Sequence, residues 1–317
     1  MISSTRVNVE DQYSRFDKGT KLNTSNQEGN TLPASEKATS LPAIDKITIS
    51  DTAIKALEKD QNNSPKGYYE QFIPTYEGFS SKNLAFGVKE PGMETFSAGK
   101  ELAQVITDAR ASLDKNYQKL KSIGKPHLVG HSSPESRNSL FGELDRRALN
   151  AIVNDKQGTF TKYEQDIARN KMSQQQGLAM GLYNGPISEE SKFVDPFLGN
   201  KTEQFKAGVQ FLDKVGNEEK ATIEYAFQRA GVQRSYENLS REQGEIPEDF
   251  TSEHPLLILI LQARESANGD FNRGFTTGSI RDTDDLKSQP WFEGFESKLD
   301  NAIKATEDLF FPKEQIV

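Results

Sequence analysis

The chain has no cysteine. Disulfides, thiolate zinc sites, iron–sulfur clusters and cysteine nucleophiles are excluded with it. Histidine is nearly as scarce, with three in 317 residues, and there is one tryptophan. No run of apolar residues is long enough to span a bilayer. The first residues, MISSTRVNVEDQYSRFDKG, lack the apolar core of a Sec signal peptide, so export, where it occurs, is expected to use another route. Positive charge is not in excess either. With 39 basic and 47 acidic residues the net charge is −8, which argues against nucleic acid or an anionic membrane surface as a partner.

Aromatic residues are missing from one region in particular. Of 29 Phe, Tyr and Trp, only Tyr13 and Phe16 fall in residues 1–66. That stretch is rich in Ser, Thr and Asn and balanced in charge. It has too little apolar surface to offset chain entropy, and is expected to be a disordered arm serving as linker or secretion signal. One island interrupts it. Ile47 and Ile49 alternate, Ser50 can cap, and Ala53, Ile54 and Leu57 follow at helical spacing. This short segment resembles the helices of flagellar anti-sigma factors, which would make it a helix that folds on a partner.

From Gly67 onward the chain reads as one domain, 67–317. GYYEQFIPTYEGF is aromatic and irregular. Ser97 is placed to cap a long amphipathic helix carrying Leu102, Val105, Ala109, Leu113 and Leu120, ended by Gly124 and Pro126. Residues 140–153 predict one helix, with Leu140, Leu144, Ala148 and Ile152 four apart. Thr161-Lys-Tyr-Glu164 is a capping box opening a helix to about Leu182. Asn200 opens another, closed by Gly216. Asn217 restarts the chain, and Gly231 is expected to separate two further helices. PLLILILQARES at 255–266 suits a central buried helix, and the last helix is expected near Pro290. There is no βαβ rhythm. The fold class is all-α, an irregular bundle of about seven helices.

The segment 140–182 also carries the one ion-binding pattern. With Gly158 at the sixth, turning position, the loop 153–164 resembles an EF-hand. The resemblance implies a calcium site built from Asp155, Gln157, Thr161 and Glu164. It departs at the first position, where Val153 replaces the usual Asp. The alternative needs no ion: Gly158 turns the chain, and Thr161 with Glu164 caps the next helix. On that reading Glu164→Gln keeps the capping geometry; on the calcium reading it removes the bidentate ligand.

Other constellations are weaker. Asn268, Asp270 and Asn272 alternate as calcium ligands do, but Arg273 stands where such loops need glycine. Asp282, Asp284 and Asp285 suit a helix cap better than a cation. His127, His131 and Glu135 have zinc spacing only on a helix, which Pro126, Gly130 and Pro134 oppose. Ser132 and Ser133 beside His131 lack any nucleophile elbow. His254 before Pro255 reads as a helix entry. Three functional readings follow: a bacterial interaction protein that binds a protein partner; an enzyme with a carboxylate or divalent-cation site in loops 153–164 or 267–286; or a calcium-binding protein.

Overall fold

The computed structural model describes residues 67–267 and 280–312, all within one unit running from Ser64 to Val317. The expectations for residues 1–66, and for Asn268, Asp270, Asn272 and Arg273, lie outside the described residues. Among the described residues there are eleven α-helices, three 3-10 helices and no strand. The all-α class therefore holds, and seven helices was an undercount.

The α-helices are α1 (Lys82–Lys89), α2 (Leu102–Ser122), α3 (Pro134–Phe141), α4 (Arg146–Val153), α5 (Lys162–Ala179) and α6 (Lys201–Asp213). They continue as α7 (Asn217–Lys220), α8 (Ile223–Glu242), α9 (Pro255–Ser266), α10 (Thr283–Lys287) and α11 (Glu296–Phe310). The 3-10 helices are Tyr68–Phe72, Ile187–Lys192 and Pro290–Phe292.

The undercount has local causes. Residues 140–153 form parts of two helices rather than one. Leu140, Leu144, Ala148 and Ile152 are all buried, as their spacing demands, yet the chain breaks after Phe141. Gly142 lies so close to the Ser80 carbonyl that a Cβ would sit 1.9 Å from its oxygen. Asp145 then restarts the helix, its Oδ1 accepting the Ala148 N–H at 2.9 Å. Its Oδ2 accepts from the Phe96 N–H, the Ser97 N–H and the Ser97 hydroxyl, each at 2.8 Å. Ser97 is thereby a buried tertiary contact, and α2 begins later, with Glu101 as N-cap. Gly231 shows the opposite departure: α8 runs through it without interruption. Pro290 opens a 3-10 turn, and α11 starts at Glu296.

Elsewhere periodicity and capping agree with the structure. In α9, Leu256, Leu257 and Ile260 are buried and His254 is the N-cap, its Nδ1 accepting the Leu257 N–H at 3.2 Å. Asn200 caps α6 through the N–H groups of Thr202 and Glu203.

Long helices meet largely in sequence order. α2 packs on α4, α4 on α5, α5 on α6, α6 on α8, α8 on α9 and α9 on α11. Val105, Leu113, Leu140, Leu149, Ile152 and Ile167 share one apolar cluster in the first half of this series. No helix among the described residues is long and apolar enough to cross a membrane.

Candidate functional site

The helix–loop–helix α4–α5 is present, and its loop is closed by its own oxygens. Asp155 follows the end of α4. Its Oδ1 accepts the Gln157 N–H at 3.1 Å and its Oδ2 the Phe160 N–H at 2.8 Å. Gly158 adopts φ 78°, the left-handed turn expected of it. Gln157 is exposed. Thr161 and Glu164 form the capping box in full: Thr161 Oγ1 accepts the Glu164 N–H at 3.2 Å, and Glu164 Oε2 accepts the Thr161 N–H at 2.8 Å.

Glu164 does more than cap. Its buried carboxylate also accepts from the Thr161 hydroxyl (2.9 Å), from Tyr117 OH (3.1 Å) and from Arg110 Nη1, which reaches both oxygens at 3.0 and 3.1 Å. Burial pushes its carboxyl pKa up, but the Thr161 and Arg110 hydrogen bonds outweigh it and hold the group below the ordinary glutamate value. Of the four proposed ligands, Asp155 serves the turn, Thr161 and Glu164 serve the helix start, and Gln157 faces solvent. Among the described residues, no three His, Asp or Glu side chains converge as metal ligands do.

A second polar cluster adjoins the first. The loop after α2 is not helical at His127 and His131, as its prolines predicted. His127 Nδ1 lies 2.8 Å from Ser136 Oγ, and Nε2 lies 3.2 Å from Tyr163 OH. Tyr163 OH in turn lies 2.5 Å from Ser132 Oγ, and Arg137 Nη1 donates to the Ser132 carbonyl at 2.5 Å. One proton arrangement leaves no buried donor without an acceptor. Ser136 donates to Nδ1, Nε2–H donates to Tyr163, and Tyr163 donates to Ser132, which is open to water. Burial, then Arg137, lowers the imidazole pKa, with Glu164 acting the other way, so the ring is neutral near pH 7.

This pair has the polarity of a nucleophile and its base. It lacks the access: Ser136 is buried, at 4% exposure, in the first turn of α3. The imidazole's other nitrogen meets a phenol, not a carboxylate. The cluster therefore acts as a clamp, fixing the loop after α2 to α3 and α5. Neither Ser136 nor Tyr163 was legible as a partner of His127, because 9 and 36 residues separate them from it. Nothing periodic links a loop histidine to a residue inside a capping box.

The cleft between α4, α5 and α8 is lined by Arg146, Asn150, Arg169, Gln176, Glu219 and Tyr225, among others. Its charges cancel in pairs. Arg146 meets Glu219 through two bonds of 2.8 and 2.7 Å, and Arg169 lies 3.2 Å from Glu224. Arg146 also donates to the Met172 carbonyl and to Gln175 Oε1, and its guanidinium lies over the Phe211 ring. The volume is about 20 Å³, room for a water molecule rather than a metabolite. On the second loop, Asp282 caps α10 through the N–H groups of Asp284 and Asp285 at 3.0 and 2.9 Å.

Compared with protein-family models, with curated proteins and with solved structures, the chain matches none.

Proposed function

We propose that this is an interaction protein, which binds a protein partner through the surface segment 187–198. The observation that carries this reading is Leu198. It is the one non-glycine residue at positive φ among the described residues, at 52°, and it is 72% exposed. A left-handed leucine costs about 1–2 kcal/mol. Exposing its side chain returns nothing to folding, so the strain is better explained by a use outside the folded core.

The mount is rigid. Asp195 Oδ1 accepts the Phe197 N–H at 2.9 Å, while Oδ2 accepts the Gly199 N–H at 2.7 Å and Gln204 Nε2 at 3.0 Å. Phe193 anchors the segment from beneath, edge-on to Phe72 and tilted against Tyr183. The Val194 N–H donates to Tyr68 OH at 2.8 Å. Ile187 and Val194, on the same segment, are also exposed. Apolar residues grouped on a fixed surface segment are characteristic of interaction sites.

A photo-crosslinking amino acid at position 198, in the cells that produce the protein, tests this. The expected result is one discrete protein adduct, absent when the probe is at exposed Glu242. No adduct at 198, or the same adducts at both positions, would overturn the reading.

A further inference from the structure

Lys171 lies in the middle of α5 with 8% of its surface exposed. No carboxylate among the described residues pairs with it. Its Nζ donates to Asn138 Oδ1 and, at 3.2 Å, to Gln174 Oε1. A neutral amine has two N–H groups, and these two acceptors use both. An ammonium has a third, for which the described residues offer no acceptor. The surroundings therefore fit the uncharged form.

The two amides spend their other ends on backbone. Asn138 Nδ2 donates to the Pro74 carbonyl at 2.7 Å. Gln174 Nε2 donates to the Asn184 carbonyl at 2.7 Å and to that of Phe72 at 3.4 Å. Through them the amine holds the strap 72–74 against α5, and the strap's own Phe72 and Ile73 side chains are buried. The strap belongs to a 3-10 turn and irregular chain, while α1, α3, α4 and α6, which also flank this part of the molecule, are regular helices.

We propose that Lys171 is a proton latch: uncharged, it holds residues 72–74 on α5, and on taking up a proton it releases them. The charged groups on neighbouring elements do not neutralise it. Arg146 of α4 is paired with Glu219, Lys206 of α6 with Glu248, and Glu164 of α5 with Arg110 of α2. Glu70 of the 3-10 helix accepts the Gly67 N–H. Arg137 of α3 bears on Lys171 and repels it. Burial first, and Arg137 second, bring the amine down to about 7 from 10.5. The folded state then binds fewer protons than the unfolded one between those values. This contribution to stability rises with pH above about 7 and is lost as pH falls through it. The latch stands whether or not residues 187–198 are the binding face.

Hydrogen exchange of the full chain tests it, read on peptides covering 68–79 and corrected for the intrinsic pH dependence of exchange. Between pH 8 and pH 6, protection should fall about tenfold, as one proton bound near pH 7 requires. Lys171→Met should abolish that fall. If Lys171→Met does not fold, Lys171→Gln serves, since its amide N–H can still donate toward Asn138 Oδ1 while the side chain takes up no proton between pH 8 and pH 6, which again removes the difference. Equal protection at both pH values in the parent protein would overturn the latch. So would an undiminished tenfold fall in a folded variant, which would assign the effect to His127 or His254.

Discussion

Glu164 joins α2 to α5 through a single carboxylate, and its substitution distinguishes capping from tertiary bonding. Thr161→Ala deletes one N-cap acceptor and should cost about 1 kcal/mol in chemical denaturation. Glu164→Gln should cost more, about 2 kcal/mol, because an amide turns an N–H toward Arg110 or Tyr117 in place of an acceptor. On the sequence alone this substitution was expected to be mild, since Gln suits a capping box. The structure revises that, because Arg110 and Tyr117 reach Glu164 from 54 and 47 residues away. A cost equal to that of Thr161→Ala would show that the two tertiary bonds contribute nothing. The pH dependence follows from the lowered carboxyl pKa. The folded group binds a proton less readily than the unfolded one, so its contribution is complete above the ordinary glutamate range. It is lost as pH falls through the lowered value. The acid limb of a stability–pH curve should be shallower in Glu164→Gln.

Among the helices, what was legible in the sequence was what is local. The Thr161–Glu164 box, the His254 cap of α9 and the Asn200 cap of α6 each depend on residues within three of one another. Boundaries set by tertiary contacts were not legible. Gly142, the C-cap of α3, must be a glycine because Ser80 leaves no room for a Cβ, and nothing near residue 142 records Ser80. Ser97 looked like a cap and is a ligand of Asp145, 48 residues away. Gly231 looked like a break and lies inside α8. An added Cβ there would meet Arg264 Nη1 at an ordinary 3.6 Å. Gly231→Ala should therefore stabilise the protein by about 0.5–1 kcal/mol, measured as a raised melting temperature. Destabilisation would mean that the helix is interrupted after all. For the α4–α5 pair, the oxygens of Asp155 and Glu164 are engaged by internal donors. Millimolar calcium should leave the melting temperature unchanged. A calorimetric titration with one saturable site, lost in Glu164→Gln, would instead establish the calcium reading.

At the scale of the molecule, the buried polar clusters among the described residues hold helices together. Ser136 and His127 form a clamp, Arg146 and Glu219 tie α4 to α7, and the cleft they border has room for a water molecule. The proposed binding segment, residues 187–198, lies instead on the outside, and the sequence did not mark it. Nothing in the sequence pattern singles out residues 187–198 or indicates that Leu198 adopts a left-handed backbone. The most direct test places a photo-crosslinker at position 194 and compares the parent with the double variant Ile187→Asp, Leu198→Asp. Both side chains are exposed, so the melting temperature should change little. The expected result is that the adduct formed in the parent disappears while the fold persists. An adduct of the same mass and yield in a folded double variant would contradict the assignment of partner binding to this segment.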